Sequence, residues 1–179
     1  VTYLEGYLWD PPGAKQAFRK AARLAEEAGG RVALSLSDSF CVDRHRGDFL
    51  ELVQNHVDIL FANEDEIKSL YEVDSFDAAL QKVRAHCDVA ALTRGAQGSV
   101  VVSGAETHVL DAEPVESILD STGAGDSYAA GFLYGLTREM DPARCGRLGG
   151  IAAAEIISHF GARPECSLAE LAAEKLPAP

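Results

Sequence analysis

The chain is short of positive charge. Its 179 residues include 16 Lys and Arg against 28 Asp and Glu, a formal net charge of −12. A protein that binds nucleic acid neutralises phosphates with a basic surface, and no block of Lys or Arg occurs here, so no nucleic-acid partner is expected. There is no basic apolar stripe to lie on a membrane and no apolar run long enough to span one. No signal-peptide pattern opens the chain. The four cysteines, Cys41, Cys87, Cys145 and Cys166, are widely spaced without a C-x-x-C pair. Neither a zinc site nor a disulfide framework is expected from them, and they read as reduced thiols of a cytoplasmic protein. The five histidines lack metal-ligand spacing.

Several catalytic signatures are also missing. No G-x-x-x-x-G-K-[ST] occurs, which excludes a P-loop enzyme. His45-Arg46-Gly47-Asp48 has a glycine inside what would be an H-R-D catalytic loop, and the partner motifs of that loop are absent. Gly123-x-Gly125 begins like a dinucleotide fingerprint, but Tyr128 stands where the third glycine belongs.

What is present reads as a folded α/β domain. Hydrophobic residues make up 47% and charged residues 25%, an ordinary globular composition that argues against disorder. A chain of this length buries roughly 70% of its unfolded surface, enough for a core without staples. The first residues, Val1-Thr2-Tyr3-Leu4, read as a strand already under way. With no initiating Met, the chain is expected to be part of a longer polypeptide.

Residues 1–8 read as extended, and Trp9-Asp10-Pro11-Pro12-Gly13 breaks them. Apolar residues recur at helical spacing over 14–28, and Gly29-Gly30 stops that helix. Short apolar runs at 31–36, 57–62 and 89–93 read as buried strands. Phe49, Leu50, Leu52 and Val53 lie on one helical stretch, and 64–71 and 76–86 read as helices. Residues 99–102 and 107–110 form a hairpin pattern around Ser103-Gly104-Ala105. Helices are expected over 124–136, 145–160 and 167–174, the last stopped by Pro177-Ala178-Pro179.

Alternation of strand and helix implies parallel β-α-β units. The expected architecture is three-layer α/β/α in a single domain over residues 1–179, with a mostly parallel sheet and an antiparallel hairpin at one side. In such sheets ligands bind at the carboxyl ends of the strands. Ser37-Asp38, Asn63 to Glu66, Thr93-Arg94-Gly95 and Asp120 to Asp126 are placed there.

Asp120-Ser121-Thr122-Gly123-Ala124-Gly125-Asp126 carries the chemistry. Small residues end an apolar stretch and open a long helix, so the backbone can approach a ligand closely. Unpaired N–H groups and the helix dipole favour an anion at such a start. A carboxylate just inside the turn could take a proton from an acceptor hydroxyl while the amides stabilise a moving phosphoryl group. The same residues also read as a helix cap with glycines for tight helix–sheet packing.

That segment resembles the D-T-x-G-A-G-D signature of the PfkB-type carbohydrate kinase family (ribokinase and adenosine kinase-like), with Ser121 at the second place. Asn63-Glu64-Asp65-Glu66 resembles the family's N-x-x-E motif, and Thr93-Arg94-Gly95-Ala96-Gln97-Gly98 its T-x-G-x-x-G turn. The resemblance covers nearly the whole chain but only the C-terminal, ATP-binding part of the family's fold. The family's N-terminal substrate motif and its β-sheet lid have no counterpart here.

The resemblance implies a kinase that phosphorylates a hydroxyl of a small-molecule nucleoside or sugar, with ATP and Mg2+ as cofactors. Asp126 would be the base, and Gly123, Ala124 and Gly125 the anion hole. Asn63 and Glu66 would hold water around Mg2+. Thr93 and Gly95 would approach the nucleotide phosphates, and Gly149 and Ala153 would line the adenine pocket. Asp120 and Thr122, with the backbone around Gly161, resemble a monovalent-cation loop that takes K+ in some members. Ile156-Ile157-Ser158-His159-Phe160-Gly161-Ala162-Arg163-Pro164 resembles the last-helix segment of adenosine kinase-like members, which favours adenosine as acceptor. The competing class is a truncated, kinase-like nucleotide-binding or interaction module without activity.

Overall fold

Five-residue runs such as Ile59-Leu60-Phe61-Ala62-Asn63 are too short for stable helices and almost wholly apolar, and they become the centre of a sheet. A computed structural model of the chain describes residues 1–176; the Pro-Ala-Pro expected to stop the last helix lies outside them. Strands β1 (Thr2–Glu5), β2 (Val32–Ser35), β3 (Ile59–Asn63) and β4 (Val89–Thr93) alternate with helices α1 (Ala14–Glu27), α2 (Ser39–Asn55), α3 (Glu64–Tyr71) and α4 (Phe76–Val83). Then come β5 (Ser99–Ser103), β6 (Glu106–Leu110), α5 (Ala124–Leu136), α6 (Pro142–Ile157) and α7 (Leu168–Lys175). The six strands form one sheet in the order β1-β2-β3-β4-β5-β6. The first four are parallel, and β5 and β6 form the expected hairpin across Gly104-Ala105.

The backbone divides into two units. One holds Val1–Thr93 with Val102–Thr107; the other holds Arg94–Val101 and the chain from His108 onward. In the first unit, each crossover steps to the next strand in the same direction. Right-handed crossovers then put their helices on one face of the sheet. Ion pairs between neighbouring helices agree: Lys15 Nζ lies 2.6 Å from Asp48 Oδ2 and Arg19 Nη2 2.9 Å from Glu51 Oε2, joining α1 to α2. Arg46 Nε donates to the Ser69 carbonyl at 2.9 Å, joining α2 to α3.

Several boundaries differ from those the sequence implies; α4, expected to reach 86, ends at Val83. The strand expected over residues 1–8 ends at Glu5, and Gly6–Trp9 wind into a 3₁₀ turn. The turn runs so close to the end of β2 that a Cβ on Gly6 would sit 2.7 Å from the Ser35 carbonyl oxygen. It carries Trp9 into the core, fully buried between Phe18 and Phe49 at ring-centroid distances of 5.0 and 5.5 Å. Helix α2 begins well before its apolar stretch, because the Asp38 side chain caps it by accepting the Cys41 N–H at 2.7 Å. Its kink at His45, with φ of −127°, interrupts the periodicity that would have revealed the whole helix. Helix α6 is shifted toward the N-terminus of the expected 145–160. Asp141 caps it at Arg144 N (2.9 Å), Pro142 occupies its first turn, and it stops at Ile157.

In the second unit, α5 and α6 pack through glycine. A Cβ on Gly131 would meet the Leu148 carbonyl oxygen at 2.5 Å, and one on Gly149 would meet the Tyr128 carbonyl oxygen at 2.8 Å. Tyr128 is buried and donates its hydroxyl to the buried Ser99 Oγ at 2.9 Å, tying α5 to β5. Cys41, Cys87 and Cys145 are buried free thiols, and Cys166 is an exposed one. No helix among the described residues is long and apolar enough to cross a membrane.

Candidate active site

Parallel strands deliver their last residues to one rim, and in the first unit those residues are polar. Asn63 and Thr93 end β3 and β4 and are direct register partners, so the sheet sets side by side two residues drawn from different motifs. Asn63 caps α3. Its Oδ1 accepts the Glu66 N–H at 2.9 Å, its own N–H donates to Glu66 Oε2 at 2.9 Å, and its Nδ2 donates to Glu66 Oε1 at 2.6 Å. This is a capping box with a third bond added. Both oxygens of Glu66 are held by Asn63.

Glu66 is only 5% exposed. Burial pushes its pKa up to about 7, the Asn63 backbone bond works against that, and the negative charges of Asp38, Glu5 and Asp65 add to it. Asp38 follows Ser37 at the end of β2, and Glu5 ends β1. Ser37 sits in the left-handed region at φ of 72°. Its Oγ donates to Glu5 Oε1 and accepts the Tyr7 N–H at 3.0 Å. Three carboxylates thus crowd one strand-end rim. Glu5 was missed in the sequence, where only an acidic residue closing an apolar run signals it.

In the second unit, the turn after β4 closes through Arg94 N–H to the Gly98 carbonyl (2.8 Å) and Gly98 N–H to the Gly95 carbonyl (3.0 Å). Gly95 and Gly98 have φ of 56° and 80°. A Cβ on Gly98 would also collide with the backbone of Leu110 and lie 2.7 Å from Ala112 N, so this position is closed to any side chain twice over. Gly95 has open space on its Cβ side.

The glycine turn before α5 is braced by Asp120. Its Oδ1 accepts the Thr122 N–H at 2.9 Å and its Oδ2 the Gly161 N–H at 3.0 Å. The Gly161 amide, then the Thr122 side chain and amide, hold the Asp120 pKa down at about 2. Gly123 has φ of 81°, and a Cβ there would lie 2.7 Å from Ala162 Cβ. Asp120, Thr122 and Gly161, expected in one loop, do come together.

Like α1 but unlike α2, α3, α4, α6 and α7, helix α5 has no side-chain cap at its N-terminus. Of its first amides, Ala124 N–H donates to the Ser121 carbonyl at a long 3.2 Å. Asp126, in the first turn, is exposed, and its carboxylate has no ion pair or hydrogen bond among the described residues. A capping or ion-paired aspartate would be committed; this one is not. Gly149 is buried against Tyr128, while Ala153, one turn further along α6, is half-buried. Of the two residues expected to line an adenine pocket, Gly149 is engaged in the α5–α6 contact.

Together these features define a predominantly parallel α/β protein with a polar strand-end rim and, at α5, a glycine-lined helix start that carries an uncommitted aspartate. The chain belongs to the pfkB family of carbohydrate kinases, whose family model matches residues 1–169. It is similar to the solved structure of an adenosine kinase from Sinorhizobium meliloti, 50% identical with a TM-score of 0.95, covering 98% of this chain and 54% of that one. It is likewise similar to a probable sugar kinase from Rhizobium etli CFN 42, 47% identical with a TM-score of 0.95, covering 98% of this chain and 53% of that one. An uncharacterized sugar kinase of Archaeoglobus fulgidus is 34% identical over 68% of this chain and 48% of its own length. The chain spans about half the length of these relatives.

Proposed function

We propose that this chain is the ATP-binding, catalytic part of a kinase that transfers the γ-phosphoryl group of ATP to a hydroxyl of a nucleoside or sugar, with adenosine favoured. The observation that carries the reading is the start of α5: a left-handed glycine, no side-chain cap, and an exposed, uncommitted Asp126 in the first turn. Asp126 takes the proton of the acceptor hydroxyl as the oxygen attacks phosphorus. The amides at Gly123, Ala124 and Gly125, with the helix dipole behind them, stabilise the negative charge that builds on the phosphoryl oxygens.

Mg2+, when bound, neutralises charge on the β- and γ-phosphates. Asn63 and Glu66 are the residues assigned to hold its water shell. The crowding of Glu66 with Glu5 and Asp38, which raises the Glu66 pKa, is what a nearby cation would relieve. Asp120 and Thr122 are assigned to a K+-type cation that would order the glycine turn. Thr93 and Gly95 approach the nucleotide phosphates. Ala153 takes the adenine, with Gly149 allowing the close helix contact behind it. The preference for adenosine is supported by the 50% identity to an adenosine kinase and by the Ser158-His159-Phe160-Gly161 segment after α6.

The test is ADP release from ATP-Mg2+ by the full-length polypeptide with adenosine, ribose, fructose or no acceptor, beside its Asp126→Asn variant. Acceptor-dependent turnover that collapses in the variant supports the reading and ranks the acceptors. ATP binding without turnover on any acceptor would instead favour the inactive nucleotide-binding module.

A further inference from the structure

The glycine turn before α5 rests on the segment that follows α6. Leu119 N–H donates to the Ile157 carbonyl at 2.9 Å. Gly161 N–H donates to Asp120 Oδ2 at 3.0 Å, and Ala162 fills the space beside Gly123 that a side chain would need. Residues 158–165 form no helix or strand, so a further contact has to hold them in place.

That contact is Glu155, in the last turn of α6. Its side chain is only 9% exposed. Oε1 accepts the Glu165 N–H at 2.8 Å, across ten residues of chain. His159 Nε2 lies 3.3 Å from the same oxygen, close enough for ion pairing but not aligned as a hydrogen bond. One carboxylate therefore gathers residues 159 and 165 and closes the loop between them. Its other oxygen, Oε2, is buried without a hydrogen-bond partner among the described residues. A buried acceptor left unpaired costs on the order of 1–3 kcal/mol. A purely stabilising residue at this position would be better apolar.

We infer that Glu155 is a positioning residue for phosphoryl transfer: it clamps the 158–165 loop, and through Gly161–Asp120 and Ala162–Gly123 it fixes the aim of the anion-hole amides. This rests on the function proposed above. An anion hole acts only when its donors already point at the developing charge, and a misplacement of about 1 Å costs roughly 100-fold in rate. The clamp works through the anion-hole amides, so its effect is expected on the rate of the bound complex rather than on ATP binding.

The experiment uses the full-length polypeptide in the ADP-release assay with four variants. Glu155→Ala removes the acceptor, and Glu155→Gln keeps a carbonyl oxygen for Glu165 N–H. Glu165→Pro removes the donor without touching α6, and Glu165→Ala keeps it. Glu155→Ala and Glu165→Pro are expected to lower kcat about 10- to 100-fold with the KM for ATP little changed, while Glu155→Gln and Glu165→Ala stay near wild type. Wild-type kcat in both Glu155→Ala and Glu165→Pro overturns the inference. So does a loss in Glu155→Gln as deep as in Glu155→Ala with Glu165→Pro unaffected. If Glu155→Ala does not fold, the Glu165 pair decides alone. If the wild type shows no acceptor-dependent turnover, the kinase reading fails separately. The clamp is then judged by amide hydrogen exchange over residues 118–126: faster exchange in Glu165→Pro than in Glu165→Ala supports it, and equal exchange overturns it.

Discussion

The strand-end rim of the first unit and the helix start of the second carry carboxylates in opposite states. Glu66 is buried, both of its oxygens are held by Asn63, and its pKa is pushed up to about 7. Asp126 is exposed, and its carboxylate has no ion pair or hydrogen bond among the described residues. Under the function proposed above, the locked carboxylate holds water around Mg2+ and the free one takes the acceptor's proton. The difference is set by what each helix does with its first turn. Helix α3 spends its N-terminal amides on a capping box, whereas α5 leaves its own without a side-chain partner.

The largest effect should come from the free carboxylate. Asp126→Asn is expected to lower kcat by about 100- to 10,000-fold, the usual worth of a positioned base, while ATP affinity in an equilibrium binding assay stays close to wild type. A small change in kcat would end the contrast, because the free carboxylate would then take no part in the proton transfer.

Next comes the backbone that aims the amides. Gly123→Ala places a side chain at φ of 81° and a Cβ 2.7 Å from that of Ala162. A loss of about 1–3 kcal/mol in stability is expected from such strain, with kcat falling as well. Adding Ala162→Gly should relieve the collision but not the torsion, so chemical denaturation of the double variant should show partial recovery. Full recovery would mean the left-handed geometry carries no cost.

The locked carboxylate should reveal itself through pH. The folded pKa of Glu66 is raised from 4.5 to about 7, so the folded protein holds this proton more tightly than the unfolded chain. Its contribution to stability is therefore most favourable below pH 4.5, falls as pH rises to about 7, and is constant beyond. Denaturation between pH 5 and 8 should show a decline of about 1–3 kcal/mol from this group, and Glu66→Gln should flatten that slope. An unchanged slope in Glu66→Gln would show that the carboxylate is already solvated and free.

The smallest effect belongs to the core of the second unit. Tyr128→Phe leaves the buried Ser99 hydroxyl without its donor and should cost about 1–2 kcal/mol. Removing both groups with Ser99→Ala should bring the stability part of the way back, as a double-mutant cycle would show.

Much of this was legible in the chain. The strand–helix alternation, the hairpin at Gly104 and the family motifs at Asn63, Thr93 and Asp120 to Asp126 are local patterns, and local patterns survive in a one-dimensional reading. Trp9 was not legible as core, because its burial depends on α1 and α2 arriving from residues distant in sequence. The extent of α2 was hidden by a cap at Asp38 and a kink at His45, neither of which is an apolar repeat. Glu155 carries no signal in the sequence, since its partners at 159 and 165 meet it only when the loop turns back.

The sequence by itself determined the kinds of element, their order and the glycines that only particular torsions allow, because these follow from side-chain volume, periodicity and φ preference. The tertiary structure decided which charges are buried, which are paired and which are left free. Those properties depend on distances between residues far apart in the chain, and it is these distances that make Glu66 and Asp126, both first-turn acids, chemically different.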